Sequence, residues 1–180
     1  MQQYVAFLRG INVGGHRVAM TRLCQIVASL GFTETQSFIA SGNLLFASAR
    51  GDVAAMEEEL GQAFARELGY AAATFIRTRA EVAAIARVRP FDDATMDDPT
   101  HTVHVGLLYG ALDEGRLAAL TALSTPIDSF ASVGREFYWL VRGRSTDSMV
   151  KMPALARALG GQTTMRNMKM MRRLAVTHGA

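Results

Sequence analysis

A glycine-rich loop near the start of the chain is the first place where residue types and spacing could do chemistry. The apolar run 4–8 has the composition of a buried strand, and residues that could hold an anion follow it: Arg9, Gly10, Asn12, Gly14 and Gly15. Glycines let backbone N–H groups approach a ligand closely, and a glycine-rich loop between a strand and a helix is a common anion site. Arg9 would add a positive charge, and Asn12 an amide that orients the ligand.

The same loop also has a purely structural explanation. It lacks the Gly-Lys-Ser/Thr ending of a P-loop and the three-glycine spacing of a dinucleotide-binding fold. The glycines could therefore serve only to let the chain leave the strand sharply. Arg9 favours a ligand, because a charged side chain at the end of a buried strand must reach solvent or meet an anion or a carboxylate.

A basic segment near residue 170 is the second candidate. The sequence predicts a last helix from about Met165. On a helical wheel, four basic side chains form one stripe opposite an apolar face: Arg166, Lys169, Arg172 and Arg173. Such a helix could bind an anion, or it could be a surface helix whose charged face is only solvated. We expect Arg166 to contribute charge to a ligand site and Asn167 to orient the ligand.

Signatures of covalent and metal-assisted catalysis are missing from the sequence. Ser41 lies outside any Gly-x-Ser-x-Gly elbow, and no motif ties it to the four histidines, which are His16, His101, His104 and His178. A packed thiol is the commoner state of a lone cysteine such as Cys24. With one Cys and no paired His on a helix, we expect no metal site and no cofactor. No general base can be named, so whether the protein is an enzyme stays open.

Charge is strongly segregated along the chain. The formal net charge is +3, yet residues 91–134 carry one basic and seven acidic side chains, whereas residues 135–180 carry nine and two. The acidic residues cluster at Asp92-Asp93 and Asp97-Asp98, next to two prolines, which is typical of a solvated linker. A calcium loop is not predicted, because the spaced ligands and terminal Glu of such loops are absent.

Composition indicates a cytoplasmic protein with a packed core. The chain has 180 residues, of which 49% are hydrophobic, enough for one or two domains. No apolar segment approaches the roughly 18 residues that span a bilayer, and the first residues do not resemble a signal peptide. The single cysteine excludes an internal disulfide and fits a reducing compartment. We therefore expect no membrane partner.

Hydrophobic spacing predicts the elements that hold these residues. In the first half, the strand 4–8 leads to a helix over 20–30, then to a tight hairpin of strands 38–41 and 44–47 around Gly42-Asn43, a helix from Asp52 to Gly69, a strand over 73–78 and a short helix over 80–88. This βαββαβ order is that of the ferredoxin-like split βαβ arrangement. Both faces of the first strand are apolar, so we expect each to be covered.

The second half repeats the pattern. It contains a strand over 101–109, a helix capped by Asp113, a hairpin of strands 127–133 and 136–142, and a helix opened by Asp147 or Ser148 and closed by Gly160. The sequence thus predicts an α+β fold in three parts. These are a ferredoxin-like subdomain over 1–90, an acidic linker over 91–100, and a βαββα subdomain with a basic C-terminal helix over 101–180.

Three short motifs carry a resemblance to a known family. They are Arg9-Gly10-Ile11-Asn12-Val13-Gly14-Gly15, Ser41-Gly42-Asn43 before an apolar strand, and Thr164-Met165-Arg166-Asn167. In this order and spacing they make the chain similar, over its full length, to the bacterial family of domain of unknown function DUF1697. Met168 stands where members of that family usually carry Trp. The resemblance implies a small soluble α+β protein, and no biochemical activity is established for the family.

Together these features favour a two-lobed protein that binds an anionic, phosphate-containing ligand between the glycine-rich loop and the basic C-terminal region. Two alternatives stay open: an enzyme that acts on a phosphorylated small molecule, and a module whose basic helix docks on nucleic acid or on an acidic protein surface. A compact ligand is favoured over nucleic acid, because the strand at 44–46 offers one aromatic ring where RNA-binding sheets use several. The oligomeric state is not predicted.

Overall fold

The computed structural model describes residues 1–12, 17–39 and 42–178. Two compact units make up the chain, the first formed by residues 1–84 with 174–180 and the second by residues 85–173. Each unit contains one four-stranded antiparallel sheet. No helix among the described residues is long and apolar enough to cross a membrane.

The first unit has the element order βαββαβ. Its elements are β1 (Gln2–Leu8), α1 (Met20–Ser29), β2 (Thr33–Ser37), β3 (Asn43–Ser48), α2 (Val53–Leu68), β4 (Thr74–Thr78) and the start of α3 (Arg79–Arg87). The strands lie in the order β2-β3-β1-β4, and every neighbouring pair is antiparallel. The predicted α+β class and the predicted order of elements in this half are confirmed.

The core of the first unit lies on one face of this sheet. Alternate residues of β1 (Tyr4, Ala6 and Leu8) pack there with buried side chains of α1 and α2. Val5 and Phe7 point to the opposite face and are buried as well. Both faces of β1 are therefore removed from solvent, as its composition predicts.

The two ends predicted for the second helix of this unit are confirmed. The carboxylate of Asp52 accepts a hydrogen bond from the N–H of Ala55 at 3.1 Å and begins α2. Gly69 ends that helix in a left-handed conformation with φ of 78°, which costs little without a Cβ. These two ends are set by nearest neighbours along the chain.

The predicted two-residue hairpin at Gly42-Asn43 is wrong. β2 already ends at Ser37, and Asn43 is the first residue of β3. Asn43 is fully buried, and its Nδ2 donates to the carbonyl of Phe38 at 3.1 Å. The carbonyl of Gly42 accepts from the N–H of Leu8 at 2.8 Å. Contacts with β1 and with the chain before the turn thus override the turn preference of the Gly-Asn pair, while residues 40 and 41 lie outside the described residues.

The second unit repeats the sheet topology of the first. Its elements are α4 (Asp93–Asp97), β5 (Thr102–Leu107), α5 (Glu114–Thr121), β6 (Asp128–Val133), β7 (Glu136–Val141), α6 (Met152–Leu159) and β8 (Thr164–Asn167), followed by α7 (Met168–His178). The strand order is β6-β7-β5-β8, which matches β2-β3-β1-β4 position by position. The predicted duplication therefore extends to a fourth strand that the sequence does not reveal.

The predicted helix start at about Met165 is wrong, because residues 164–167 form β8. Thr164 pairs with Leu107, and Arg166 pairs with Val105, across β5 and β8. This pairing satisfies the backbone groups of β5 that would otherwise lie on an open edge of the sheet. The helix begins only at Met168, so Arg166 is not part of the basic helical stripe.

The start of α6 also differs from the prediction. Asp147 and Ser148 do not open this helix, which begins at Met152 with Pro153 in its first turn. Asp147 instead closes a short 3₁₀ turn by accepting from the N–H of Arg144 at 2.9 Å. The hydroxyl of Ser148 donates to the buried carboxylate of Asp128 at 2.6 Å. Both residues therefore make polar contacts, as their types suggest. Asp147 caps the 3₁₀ turn, and Ser148 binds a carboxylate of β6.

Candidate functional site

The described part of the glycine-rich loop lies at the end of β1. The side chain of Arg9 is exposed, and its backbone N–H donates to the carbonyl of Ala73 at 2.8 Å. Gly10 has φ of 82°, a region that favours glycine. The side-chain oxygen of Asn12 accepts from the N–H of Val18 at 2.8 Å. The predicted orienting amide of Asn12 therefore uses its oxygen in a hydrogen bond to the chain just before α1.

Gly14 and Gly15, also predicted to bind the ligand, lie outside the described residues. Arg166 and Asn167 lie in the second unit, whereas Arg9, Gly10 and Asn12 lie in the first. A ligand site that joins these two groups of residues stays a prediction.

Arg166 is a largely buried cation on β8. Its guanidinium donates to the hydroxyl of Thr164 at 2.8 Å and to the carbonyl of Met165 at 2.9 Å. Burial lowers the pKa of Arg166 to about 10, because a low-dielectric surrounding disfavours the charged form. These contacts hold the guanidinium against its own strand.

The second unit contains a cavity of about 280 Å³. The segment that joins α4 to β5 forms one side, with residues 96–99 and 101–103, and the junction of β8 with α7 forms the other, with residues 167–169 and 172. The volume is close to the lower end of the range for small-molecule sites, roughly 300–1,000 Å³. The cavity can hold a compact ligand.

Local hydrogen bonds fix both sides of this cavity. Asp92 caps α4 by accepting from the N–H of Thr95 at 2.8 Å. On the opposite side, the Oδ1 atom of Asn167 accepts from the N–H of Lys169 at 2.8 Å and starts α7. Because β8 pairs with β5, the two sides belong to one sheet and its adjoining turns.

Both carboxylates of the cavity have partners within the unit. Asp97 lies 2.9 Å from the guanidinium of Arg89. Asp98 accepts from the hydroxyl and the N–H of Thr100 at 2.6 and 2.8 Å, and these hydrogen bonds lower its pKa. Its second oxygen lies 3.5 Å from Nε2 of His101. The acidic side of the cavity is therefore largely satisfied without a ligand.

Unlike the carboxylates, the two cations of the cavity have no ion-pair partner among the described residues. Lys169 and Arg172 are three residues apart on α7 and share one face of the helix. Neither side chain makes an ion pair with any residue that the structure describes. The start of a helix also carries a partial positive charge. One side of the cavity thus presents positive charge that no described carboxylate neutralises.

Three buried apolar side chains complete the lining. They are Met96 from α4, Val103 from β5 and Met168 from α7. Methionine adapts its shape easily and makes favourable contacts with aromatic rings. The cavity therefore combines a cationic side with an apolar side.

Comparison with known proteins places the chain in a family. Residues 1–138 match the family described as Protein of unknown function (DUF1697). The chain belongs to the DUF1697 family. The predicted family is thus confirmed over residues that include the first two of the three short motifs.

A solved structure resembles this DUF1697 protein over both halves. The conserved bacterial protein SP0830 from Streptococcus pneumoniae shares 22% sequence identity with it, with a TM-score of 0.76 over 98% of each chain. At this identity the likeness shows the fold alone. No curated protein matches the chain.

The cavity of this DUF1697 protein was only partly visible in the sequence. Lys169 and Arg172 were placed correctly on one helical face, but Arg166 was wrongly added to it. The side formed by α4 was missed, because four aspartates near two prolines suggest a solvated linker. A usable signal was the spacing of Asp92 and Thr95, which is that of a helix cap, followed by the apolar Met96.

Proposed function

We propose that this DUF1697 protein binds a compact, phosphate-containing anion in the cavity between the α4–β5 segment and the start of α7. The observation that carries the proposal is the unequal pairing of its charges. Arg89 and Thr100 engage the two carboxylates, whereas Lys169 and Arg172 have no carboxylate partner among the described residues. A phosphate would supply the missing negative charge.

The charge balance supports an anion rather than a cation. The lining contains two carboxylates (Asp97 and Asp98) that already have partners in Arg89 and Thr100, which leaves the positive potential of Lys169 and Arg172 without a neutralising partner among the described residues. The helix start adds to this positive potential. Within the described residues, no group of three or more His, Cys, Asp or Glu side chains could hold a metal ion. The cavity therefore offers donors and cations to an oxyanion.

The apolar lining narrows the class of ligand. Met96, Val103 and Met168 offer an apolar surface that the organic part of a phosphate ester can contact and that free inorganic phosphate does not use. Phosphosugars and nucleoside monophosphates are the compact phosphate esters that we propose for this volume of about 280 Å³. We favour a nucleoside monophosphate, because Met96 and Met168 line the cavity and methionine packs favourably against flat aromatic rings.

The cavity does not require the other residues predicted to bind the ligand. Their contribution remains a proposal, and they are Arg9, Gly10, Asn12, Gly14, Gly15 and Arg166. A nucleic-acid backbone is the competing ligand for the basic start of α7. No chemical step is part of the proposal.

Thermal-shift measurements with inorganic phosphate, ribose 5-phosphate and the four ribonucleoside monophosphates test this function. A ligand at about 100 times its Kd stabilises the folded protein by about 2.7 kcal/mol. We expect at least one phosphate ester to raise the melting temperature more than inorganic phosphate does. The Arg172→Ala variant should lose this shift.

The Arg157→Ala variant is the matched control, since Arg157 is an exposed arginine of the same unit on α6 and does not line the cavity. A charge-assisted hydrogen bond contributes about 1.5–3 kcal/mol, so Arg172→Ala should weaken binding at least tenfold in a calorimetric titration. Equal affinities of the two variants would refute the proposal.

A further inference from the structure

A histidine and a serine that are 41 positions apart in sequence meet in the second unit. Nε2 of His104, on β5, lies 2.7 Å from Oγ of Ser145, which opens the 3₁₀ turn at residues 145–147. Ser145 is exposed and His104 is half-buried. Neither residue lines the cavity described above. The pair is therefore a separate feature of the unit.

The imidazole of His104 lies against the ring of Trp139, its cross-strand partner on β7. The ring centroids of His104 and Trp139 are 5.4 Å apart, and the planes are tilted by 39°. Trp139 in turn donates from Nε1 to the buried carboxylate of Asp128 at 2.8 Å. The imidazole thus packs against a ring that is itself hydrogen-bonded, and such packing favours one orientation of a base toward its neighbour.

The turn that carries Ser145 is also anchored. The hydroxyl of Thr102 donates to the carbonyl of Gly143 at 2.9 Å, which ties the start of the turn to β5. Asp147 accepts from the N–H of Arg144 at 2.9 Å and from its guanidinium at 3.1 Å. Ser145 is thus presented to solvent from a fixed backbone, two residues before the end of the turn.

From this geometry we infer that Ser145 and His104 form a nucleophile–base pair that reacts with activated carboxylic esters. This role requires the tautomer in which the ring proton resides on Nδ1, so that the hydroxyl of Ser145 can donate to Nε2. A carboxylate that would strengthen the base by accepting from Nδ1 is not found among the described residues. The substrate class is accordingly restricted to esters whose alcohol or phenol leaves easily.

The reaction balances without any further reagent. Oγ of Ser145 bonds to the carbonyl carbon while its proton passes to Nε2 of His104. The tetrahedral intermediate then loses the alcohol, which takes that proton, and an acyl-serine remains. Water attacks the acyl carbon, gives a proton to Nε2, and the carboxylic acid leaves as the proton returns to Oγ.

The protonation state of the histidine suits this role. Burial lowers the pKa of His104 below its ordinary value, since desolvation disfavours the imidazolium. At neutral pH the ring is therefore mainly in the form that can accept a proton. The reaction should slow only when the pH falls below the ordinary range of an imidazole.

Covalent labelling with diisopropyl fluorophosphate tests the pair, because the reagent transfers its diisopropylphosphoryl group to activated serines with loss of fluoride. We expect peptide mapping of the labelled full chain to find the adduct on Ser145. General-base assistance typically accelerates such a step by roughly 10²–10⁴-fold, so His104→Gln should slow labelling about 100-fold. The labelling rate should be constant from pH 7 to 8 and fall in acid, as a histidine base requires.

Two further variants make the result decisive. Ser145→Ala should abolish both the adduct and the hydrolysis of p-nitrophenyl acetate, whereas Ser124→Ala, which changes an exposed serine elsewhere in the unit, should leave both unchanged. Equal melting temperatures of all four proteins would show that folding is intact. The absence of an adduct on Ser145 in the folded protein, or an equal rate in the His104→Gln variant, would overturn the inference.

Discussion

The side chain of Asn167 accepts a hydrogen bond from the backbone N–H of Lys169 at 2.8 Å, at the junction of the last strand with the last helix. Asn167 is the final residue of β8, and Met168 is the first of α7. The cap therefore lies at the start of the helix that carries Lys169 and Arg172. Its loss should be felt in stability and in ligand binding.

We predict that Asn167→Ala lowers the free energy of unfolding by about 1 kcal/mol, the usual contribution of a helix cap. Asn167→Asp should keep the cap, because a carboxylate oxygen can accept the same hydrogen bond and is favoured at a helix start. Urea denaturation monitored by circular dichroism measures both. An Ala variant as stable as the Asp variant would show that the cap contributes nothing.

Gly106 on β5 leaves room for an aromatic ring. A Cβ at this position would overlap the ring of Phe137, its partner on β7. We therefore predict that Gly106→Ala destabilises the protein by about 1–3 kcal/mol, the usual cost of overpacking a core. Gly110→Ala is the matched control, since an added Cβ there meets nothing within 4 Å. Similar melting temperatures for the two variants would contradict this account.

We predict that the buried carboxylate of Asp128 makes the free energy of unfolding sensitive to acid. Burial alone would raise the pKa of Asp128, but hydrogen bonds from Ser148, Thr125 and Trp139 outweigh it, and the pKa lies below its ordinary value. A group with a lowered folded pKa stabilises the protein above its unfolded pKa, about 3.9, and loses that contribution as the pH falls further.

The Asp128→Asn variant should therefore be less stable at neutral pH but lose less stability than the wild type between about pH 5 and pH 2. Trp139 is the single tryptophan of the chain, and it donates to Asp128, so its fluorescence reports unfolding at this cluster. Urea titrations across this pH range give the comparison. Parallel stability curves for the two proteins would show that Asp128 is not responsible.

Salt dependence separates a compact ligand from a nucleic-acid backbone at the start of α7. If Lys169, Arg172 and Arg173 neutralised duplex phosphates, counterion release would give a slope of log affinity against log salt of about −2.7, at roughly −0.9 per contact. We predict weak oligonucleotide binding and a smaller slope for the preferred phosphate ester. Fluorescence anisotropy with a labelled duplex measures this slope across 50–300 mM salt, about a sixfold range. Tight duplex binding with the steep slope would favour the nucleic-acid alternative.

The elements that the sequence predicted best are those defined by nearby residues. The caps at Asp52 and Asp113, and the left-handed glycines at Gly69 and Gly160, involve hydrogen bonds or backbone angles within one helical turn. Such signals depend little on the rest of the molecule. They were sufficient for the α+β class and for the repeated order of elements.

The elements that it missed depend on distant partners. β8 is four residues long and exists because β5, nearly 60 positions earlier, has an edge for it to pair with. Asn43 joins a strand because its buried amide meets the carbonyl of Phe38 and its backbone pairs with β1. Residue patterns within a short window contain neither fact.

For the same reason, the sequence predicted some residues of the candidate site and missed others. Basic residues of α7 follow a helical period that is visible in the sequence, so Lys169 and Arg172 were found. The pairing of His104 with Ser145, and the fold of the acidic segment onto β5, arise from sheet topology. They become visible only when β5, β7 and β8 are placed side by side.

The helix α7 passes from the second compact unit into the first at Leu174. Its final turn contributes there, where His178 meets the ring of Phe38 edge-on, with centroids 5.4 Å apart. During synthesis, all of residues 85–173 must therefore be made before the first unit has its full complement of residues. The second unit is continuous in sequence, so all of its residues are available earlier. The first unit is therefore begun before the second but can be completed only after it.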